Sequence, residues 1–418
     1  MNEEFYLTSL QKFFNKLRMM LCMKKMIFQG VSNNMPIMSM KEMLADAKTG
    51  GYAVMYGAGN IGRGFIGQVF YDSGFEVVFI DVNKSVVSAL NEFNSYTQLI
   101  IDGDTIERKS ITGVRAVDGR DEKAVAKEIS GCEIMAVSVG AAALPHIAPL
   151  IASGIILRDK PLNILVCENL VHAPDVLRGY ISEFISDSSA LDTTGFVGTT
   201  IGRMVPVMSE KQQEDDPTLI AVESFCHLPI DRDAIVPPMP DLKHTIQCSP
   251  FAFEEGKKLY IHNMGHSSAA YFGYQKGYKF IWQAMDDAFI REVVKDAMNS
   301  TAEALARKYK EDRTALTSYL DDLLSRFSNK GLGDTVARVG ADPMRKLAPG
   351  DRFMGAVDLC REQGIDYGSI ISGVKAALMF DISGDPSAGV LQAGLKKRGV
   401  AAFLVDYCGL SEADASSV

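Results

Sequence analysis

The sequence has few of the features that several classes of protein require. Its 418 residues include one tryptophan and six histidines, and its seven cysteines are dispersed, with no Cys-x-x-Cys pair. This pattern argues against a disulfide-stabilised secreted scaffold and against a cysteine-rich zinc site. No apolar run reaches the ~18 residues that a membrane-spanning helix needs. The sequence therefore predicts reduced thiols, a cytoplasmic location and no membrane partner.

Basic residues are fewer than acidic ones, with 43 Lys and Arg against 52 Asp and Glu, and the formal net charge is −9 at pH 7. Such a chain is a poor ligand for a phosphate backbone, so nucleic acid is not an expected partner. Hydrophobic residues make up 47% of the sequence, which excludes a mainly disordered protein. The length suggests two or three domains at ~150 residues each.

Residues 1–49 differ from the rest of the chain. They are rich in methionine, and Leu10, Phe13 and Leu17 recur at helical spacing with basic residues between them. One interpretation is an amphipathic targeting or membrane-surface helix, and the other is a leader without chemistry of its own. We treat residues 1–49 as a leader of uncertain role.

The clearest functional motif is a glycine-rich turn between two apolar runs. Residues 52–56 form a short apolar run typical of a buried parallel strand, and Gly57-Ala-Gly-Asn-Ile-Gly-Arg-Gly64 follows it. A helical pattern continues to Ser73, and a second apolar run over 76–80 ends before Asp81. Strand, glycine turn, helix, strand and acidic residue are the parts of a dinucleotide-binding unit.

Each part of this unit has a physical role. Gly57 permits the tight turn, Gly59 lets the backbone approach a pyrophosphate, and Gly62 lets the helix pack closely on the strand. Asp81 can accept hydrogen bonds from a ribose 2′-hydroxyl and would repel a 2′-phosphate, which favours NAD over NADP. The residues predicted to bind NAD are Tyr56, Gly57, Ala58, Gly59, Asn60, Ile61, Gly62, Arg63, Asp81, Val139 and Gly140.

The rest of the chain predicts an α/β fold with a helical second part. Residues 98–101 and 105–111 read as a hairpin, residues 210–217 as a polar loop, and residues 219–225 as a strand. After the proline-rich stretch 236–240, helical apolar spacing dominates. We therefore predict an N-terminal Rossmann-type dinucleotide-binding domain over 50–240 and a mostly α-helical substrate and catalytic domain over 241–418.

Residues 257–266 contain most of the candidate chemistry. His262 and His266 are spaced i, i+4 as in a helical zinc site, but Asn263 stands where a zincin has glutamate, and no third ligand is evident. A solvated helix start with incidental histidines is a second interpretation. The third is a lysine base, Lys258, because oxidation of an alcohol by NAD⁺ requires removal of the hydroxyl proton and a buried lysine can accept it without a metal.

On an ideal α-helix the three polar groups do not share a stripe. Residue i+5 is turned by ~140° from residue i at 3.6 residues per turn. Lys258 and Asn263 would therefore diverge, whereas His266, at i+8, returns closer to Lys258. To act together, the three side chains would have to line the opening of one cleft, and the sequence leaves that arrangement open.

Together the motifs resemble the polyol-specific long-chain dehydrogenases, the mannitol dehydrogenase family. The resemblance covers roughly residues 52–410 and implies a metal-independent, NAD-dependent oxidoreductase that interconverts a polyol and a ketose, free or phosphorylated, in a cleft between two domains. The motifs that carry it are Gly57-Ala-Gly-Asn-Ile-Gly-Arg-Gly-Phe-Ile66, Asp81-Val-Asn83, Cys167-Glu-Asn169, Lys258-x4-Asn263-x2-His266, Arg338-Val-Gly340, Pro343-Met-Arg-Lys-Leu347 and Gly350-Asp-Arg352.

The resemblance also implies roles for individual residues. Lys258 would be the general base, and Asn263 with Asn169 would polarise the substrate oxygen. His266 would hydrogen-bond and orient the substrate. Some relatives have a glutamate beside the proton path at the position of Glu255.

A cluster of basic residues interrupts the acidic composition near the C-terminal end. Arg338, Arg345, Lys346 and Arg352 lie close together in the sequence, and arginine suits bidentate binding of phosphate or carboxylate. Ordinary surface charge paired with neighbouring aspartates is the other interpretation. The resemblance favours Arg345 or Lys346 as ligands of a substrate anion.

Two departures from the family affect the choice of substrate. Gly202 stands where relatives usually have aspartate, directly before Arg203, which we also assign to substrate binding. The leader has no counterpart in compact bacterial relatives. Mannitol 1-phosphate with fructose 6-phosphate is the favoured pair, a ketouronate or an unphosphorylated ketose is the alternative, and a non-catalytic NAD sensor is a third hypothesis. We expect a small-molecule sugar or polyol as partner and a monomer or small homo-oligomer.

Overall fold

A computed structural model of the chain describes residues 51–206, 208 and 210–418. The predicted leader over 1–49 lies outside these residues. The described strands are β1 (Tyr52–Tyr56), β2 (Glu76–Asp81), β3 (Ser95–Asp102), β4 (Thr105–Thr112), β5 (Val114–Asp118), β6 (Ile134–Val137), β7 (Leu162–Val166), β8 (Thr194–Gly198), β9 (Ile220–Glu223), β10 (Leu228–Asp231) and β11 (Thr245–Cys248).

Helices alternate with the strands in the first half and dominate the second. The described α-helices are α1 (Gly67–Asp72), α2 (Lys84–Phe93), α3 (Glu122–Gly131), α4 (Leu144–Ile156), α5 (Ala173–Ser182), α6 (Ser189–Asp192), α7 (Glu210–Asp215), α8 (Phe251–Gly256), α9 (Met264–Gln275), α10 (Ile281–Asp286), α11 (Ala288–Tyr309), α12 (Arg313–Phe327), α13 (Val336–Gly340), α14 (Pro343–Lys346), α15 (Met354–Glu362), α16 (Gly368–Leu378), α17 (Pro386–Arg398), α18 (Val400–Asp406) and α19 (Glu412–Ser417). Two π-helical turns, Gly62–Ile66 and Lys257–Asn263, run directly into α1 and α9.

The main sheet has six parallel strands in the order β5-β2-β1-β6-β7-β8. Counted along the chain within this sheet, that is the order 3-2-1-4-5-6 of dinucleotide-binding sheets. The order reverses between β1 and β6, where Tyr56 pairs with Val137 at the carboxyl ends. Ligands of such sheets bind in the crevice at this reversal, so the predicted Rossmann-type domain is confirmed and its cofactor crevice is located.

A second sheet of three strands, in the order β4-β3-β9, accompanies the main one. The hairpin predicted around Asp102-Gly103-Asp104 is confirmed as the antiparallel pair β3–β4, and the strand predicted within 219–225 is confirmed as β9. The loop predicted over 210–217 is wrong for most of its length, because α7 occupies Glu210–Asp215. Its Glu, Lys and Gln residues are good helix formers, and local propensity prevailed over the polarity that suggested a loop.

The helical domain is built around α9. Small residues such as Ala269 and Ala270 are fully buried, which lets α11, α13 and α16 pack closely against this helix. The mostly helical second half is thus confirmed. The proline-rich stretch at 236–240 lies between β10 and β11, and the domain boundary at residue 240 stays a prediction. No helix in the described ranges is both long and apolar enough to cross a bilayer.

Glycines control the geometry of the first turn. Gly57 has a φ of 102°, and a Cβ there would collide with the carbonyl oxygen of Ser138 at the end of β6. A Cβ on Gly62 would collide with the carbonyl oxygen of Gly57, so the helix packs directly on the turn. Gly59, in contrast, has no atom within 4 Å of an added Cβ and faces open space.

These contacts predict different effects for two alanine variants. Gly62→Ala should lower the free energy of unfolding by ~1–3 kcal/mol or more, because backbone must move to admit the methyl group. Gly59→Ala should unfold at the wild-type temperature but bind NADH more weakly, because its methyl group occupies the space above the turn. Thermal unfolding without NADH and a fluorescence titration with NADH measure the two effects. Wild-type stability of Gly62→Ala would contradict the packing argument.

Candidate active site

The crevice between β1 and β6 is held by a carboxylate from the next strand. Glu168, just after β7, accepts hydrogen bonds from the backbone N–H of Val139 at 2.7 Å and of Gly140 at 3.1 Å. Burial raises the pKa of Glu168, and the two backbone hydrogen bonds oppose that change. Gly140 has a φ of 87° and no atom within 4 Å of an added Cβ, so the backbone there borders open space.

Asp81 joins the glycine turn to the end of β2. Its Oδ2 accepts from the backbone N–H of Ala58 at 2.7 Å, and its Oδ1 accepts from the N–H of Asn83 at 2.8 Å. Each carboxylate oxygen retains a lone pair for a hydroxyl group. The open space at Gly59 and Gly140, beside a carboxylate that can accept from a diol, fits a dinucleotide with an unmodified ribose.

The remaining predicted cofactor residues occupy both sides of the turn. Tyr56 is buried at the end of β1, and burial and the charge of Asp81 raise its pKa. Arg63 is buried at the start of the helix, where its Nε donates to the carbonyl oxygen of Ala58 at 2.6 Å. Asn60 is exposed at the mouth of the crevice. The structure therefore brings the predicted residues of β1, β2 and β6 together at one edge of the sheet.

Two of the candidate catalytic residues, Lys258 and Asn263, lie on the π-helical turn Lys257–Asn263, which separates α8 from α9, and His266 follows on α9. A π-helix closes hydrogen bonds between residues five apart, and it occurs mostly as single turns at functional sites. Residues i and i+5 then lie closer to one face than the ~140° separation of an α-helix allows. Lys258 and Asn263 have this spacing, so their side chains diverge less than on the α-helix assumed from the sequence. The π-helical turn that causes this difference was not predicted.

Lys258 lies in an environment that disfavours its charge. Its side chain is half-buried, and no carboxylate of the described residues forms an ion pair with it. Burial lowers the pKa of Lys258 well below its usual value, the positive charges of Arg326 and Arg352 lower it further, and Glu223 opposes them. A lysine with this pKa is available as a neutral amine that can accept a proton.

His266 is held in place by its neighbours. Its ring stacks on Phe327 with centroids 4.6 Å apart and planes at 6°. Its Nε2 lies 3.2 Å from Asp334 Oδ2, at the distance of an ion pair but without the geometry of a hydrogen bond. Arg338 in turn donates to both oxygens of Asp334. Burial lowers the pKa of His266 and Asp334 opposes the change, so the neutral imidazole is favoured in a fixed orientation.

His262 is almost completely buried, and its Nδ1 has no hydrogen-bond partner among the described residues. Its ring lies 6.2 Å from that of His266 and meets the edge of Phe327 at 5.6 Å. Within the described ranges, no group of three His, Cys, Asp or Glu side chains is arranged to hold a metal ion. His262 therefore packs in an aromatic cluster with His266 and Phe327.

A buried ion pair joins the helical domain to the second sheet. Arg326, near the end of α12, donates from Nε to Glu223 Oε2 at 2.9 Å and from Nη2 to Oε1 at 2.5 Å. Nη2 also donates to the carbonyl oxygen of Gly202 at 2.5 Å, and the guanidinium lies 4.0 Å from the ring centroid of Phe225. Glu223 also accepts from the N–H of Met204. Sequence reasoning did not single out Arg326 or Glu223, and no local pattern pairs them.

This ion pair gives a physical account of Gly202. A Cβ at this position would approach the ring of Phe225 to 3.1 Å, which is tighter than ordinary packing. The departure from the aspartate of relatives therefore fits the close stacking of Arg326 on Phe225, with the carbonyl oxygen of residue 202 as the acceptor.

The three residues predicted to bind the substrate are in different environments. Arg203 is buried within the Rossmann domain and donates to the carbonyl oxygens of Gly64 and Glu223 and to Gln68. Arg345 is exposed and paired with Asp342 at 2.7 Å. Their assignment to substrate binding stays a prediction.

Lys346, the third, is only 5% exposed and donates to the carbonyl oxygens of Val339 and Ala341. Burial, followed by the charges of Arg352 and Arg345, lowers the pKa of Lys346 to about 7. Its place near the substrate likewise stays a prediction.

Asn169 is exposed on the loop after β7, at the carboxyl edge of the sheet. A cavity of about 690 Å³ opens beyond this loop, between α5, β8 and α8. Its wall includes His172 and Glu255 but not Lys258, Asn263 or His266. The cavity therefore borders the candidate site without containing its central residues.

Comparison with known proteins identifies the same two-part organisation. Residues 52–244 match the family described as the mannitol dehydrogenase Rossmann domain, and residues 251–400 match the mannitol dehydrogenase C-terminal domain. Relatives named mannitol-1-phosphate 5-dehydrogenase include one from Geobacillus thermodenitrificans, 35% identical over 370 residues, which are 86% of this chain and 94% of the relative. Another, from Brevibacillus brevis, is 37% identical over 355 residues, 83% of this chain and 90% of the relative.

Solved structures show the same fold at lower identity. Mannitol 2-dehydrogenase of Pseudomonas fluorescens, in a ternary complex with NAD and D-mannitol, superposes with a TM-score of 0.69 at 17% identity, over 86% of this chain and 87% of the other. A D-sorbitol dehydrogenase gives a TM-score of 0.67 at 18% identity, over 80% of each chain.

The buried ion pair predicts a large and non-additive effect on stability. Arg326→Met leaves Glu223 buried without its counter-ion and should lower the free energy of unfolding by ~3–5 kcal/mol. The double variant Glu223→Gln/Arg326→Met should lose less than the sum of the two single variants, because it leaves no isolated charge. Urea unfolding measures these differences.

A matched control is the exposed pair between Arg398 and Asp406, whose nitrogen and oxygen lie 3.4 Å apart. Arg398→Met should cost less than ~1 kcal/mol. Equal losses at the exposed and the buried pair would contradict the structural role given to Arg326.

Proposed function

The chain belongs to the mannitol dehydrogenase family, and from this premise we propose that it interconverts D-mannitol 1-phosphate and fructose 6-phosphate. It is an NAD-dependent polyol dehydrogenase, and relatives that carry the specific name align with most of its length. The observation on which the proposed chemistry rests is Lys258, because burial favours its neutral amine at the start of the helical domain. A neutral amine can take the proton that must leave the hydroxyl group when a polyol is oxidised.

The residues of the Rossmann domain bind and orient the cofactor. The turn from Gly57 to Gly62 would hold the pyrophosphate, and Asp81 would accept hydrogen bonds from the adenosine ribose. When bound, NAD⁺ supplies the acceptor for the hydride. Glu168 holds the N–H groups of Val139 and Gly140 and so keeps the end of β6 in position beside the bound dinucleotide.

The residues of the π-helical turn act on the substrate. In the oxidation, Lys258 accepts the hydroxyl proton and becomes an ammonium group. Asn263 and Asn169 donate hydrogen bonds to the substrate oxygen as it gains negative charge. His266, fixed between Phe327 and Asp334, orients the same part of the substrate. In the reduction of the ketose, the ammonium group of Lys258 returns the proton.

A comparison of ketoses tests the substrate. NADH oxidation should be fastest with fructose 6-phosphate, with kcat/KM at least ~100-fold above that of fructose, fructuronate or tagaturonate, equivalent to ~2.7 kcal/mol of phosphate binding. Fastest turnover of a ketouronate would move the protein to another activity of the family. NADH binding without turnover of any ketose would instead support a sensor.

The base is tested by substitution and by pH. Lys258→Ala should lower kcat for mannitol 1-phosphate oxidation by ~10²–10⁴-fold and leave NADH binding unchanged. In the wild type, this rate should fall as the pH falls through the lowered pKa of Lys258, because the protonated amine cannot accept a proton. The reduction should show the opposite limb and fall as the pH rises.

The variant Glu223→Gln tests the direction in which Glu223 shifts the pKa of Lys258. Glu223 raises the pKa of Lys258, so its neutralisation should move the acidic limb to lower pH. Glu254→Gln is the matched control, since Glu254 pairs with Lys257 at 2.9 Å and not with Lys258. A limb that stays in place in Glu223→Gln, or that survives in Lys258→Ala, would remove Lys258 as the titrating base.

A further inference from the structure

One buried guanidinium group of the helical domain has an unused donor. Arg352 is 6% exposed, and its Nη2 has no hydrogen-bond partner among the described residues. Its Nε donates to Asp351 Oδ1 at 2.9 Å, and its Nη1 donates to Ser267 Oγ at a long 3.3 Å. A buried donor without an acceptor destabilises the fold, and it does so more strongly when it is charged. This donor therefore indicates a ligand that supplies the missing acceptor.

Arg352 contacts the helix that carries His266. Its partner Ser267 directly follows His266 at the start of α9. Its positive charge also lowers the pKa values of Lys258 and His262, which means that it lies within electrostatic range of the proposed base. A group bound at Arg352 would thus belong to a molecule that also reaches the π-helical turn.

The charges around Arg352 do not cancel. Arg345 is paired with Asp342 at 2.7 Å and approaches Asp351 at 3.5 Å, and Asp351 is shared with Arg352. Lys346 donates only to backbone carbonyl oxygens, and no carboxylate of the described residues pairs with it. The three basic side chains are therefore accompanied by two carboxylates, and a bound anion would neutralise the remaining positive charge.

Arg345 is the weaker candidate for such an anion. It is exposed, and its two aspartate contacts already engage its guanidinium group. Arg352 combines burial, an unused Nη2 and an Nη1 whose bond to Ser267 is long enough to be exchanged. An arginine of this kind presents two parallel donors to the oxygens of a phosphate.

We propose that Arg352 binds the phosphate group of the sugar phosphate substrate through Nη2 and Nη1, with Lys346 as the neighbouring positive charge. The proposal rests on the proposed function, because it identifies the group that distinguishes a phosphorylated ketose from a free one. The buried positive charges that depress the pKa of Lys346 lose part of their effect when a dianion binds, so substrate binding favours the charged form of Lys346.

The test compares two arginine variants on two substrates. Arg352→Met should raise KM for fructose 6-phosphate by ~100-fold, equivalent to ~2.7 kcal/mol, and should lower kcat/KM for fructose 6-phosphate ~100-fold more than kcat/KM for fructose, because a change in the pKa of Lys258 affects both substrates alike. Arg398→Met, the matched control at an exposed arginine paired with Asp406, should change neither by more than ~3-fold. Arg352→Lys keeps the charge without the bidentate donors and should lie between the wild type and Arg352→Met. Thermal unfolding of each variant reports any loss of structure.

Inorganic phosphate provides a readout that does not depend on the substrate. It should compete with fructose 6-phosphate in the wild type and in Arg398→Met, and calorimetric titration should detect its binding in both but not in Arg352→Met. Equal loss of activity on fructose and fructose 6-phosphate in a folded Arg352→Met would overturn the proposal, as would phosphate binding that this variant retains. A wild type that turns over another ketose but not fructose 6-phosphate would refute the proposed function, whereas loss of phosphate binding in Arg352→Met would still support the anion site.

Discussion

Arg326 and Glu223 form a bidentate ion pair that is buried where α12 of the helical domain meets β9 of the second sheet. Removing two charges from water is costly, and the cost is offset only when the remaining donors and acceptors are also satisfied. Here the carbonyl oxygen of Gly202, the N–H of Met204 and the ring of Phe225 supply these contacts. The position of α12 relative to the Rossmann domain follows from this arrangement.

The candidate site depends on that position in two ways. Phe327, the residue after Arg326, provides the ring on which His266 stacks and whose edge meets His262. The charges of Arg326 and Glu223 also act on Lys258 in opposite directions, so the same ion pair that holds the domains adjusts the protonation of the proposed base. The packing of the two domains and the protonation of the proposed base therefore both depend on the C-terminal end of α12.

The cofactor crevice and the proposed anion site differ in whether their polar groups already have hydrogen-bond partners. Asp81 and Glu168 each bind backbone N–H groups of the crevice, which keeps the mouth of the sheet in place before a dinucleotide binds. Arg352 has the opposite character, because its Nη2 lacks an acceptor in the described part of the chain. In the proposed function, carboxylates that already hold backbone N–H groups border the cofactor crevice, whereas the free donor of Arg352 binds the substrate phosphate.

Local patterns in the sequence were sufficient for the first strand-turn-helix unit and for the hairpin around Gly103. The hydrophobic periodicity of helices and strands and the turn conformations of glycine depend on residues that are close in the sequence. They can therefore be recognised without the tertiary structure. The π-helical turn was not, because it differs from an α-helix only in which carbonyl each N–H selects.

The tertiary structure alone decided which charged residues are paired and which are not. Arg345 and Arg352 look equivalent in the sequence, yet Arg345 is exposed and paired with two aspartates, whereas Arg352 is buried, shares Asp351 and has an Nη2 without an acceptor among the described residues. Arg326 and Glu223 stand about a hundred positions apart and meet only when the domains pack. Burial and the distance between remote groups set the cost of a charge, and neither exists until the chain has folded.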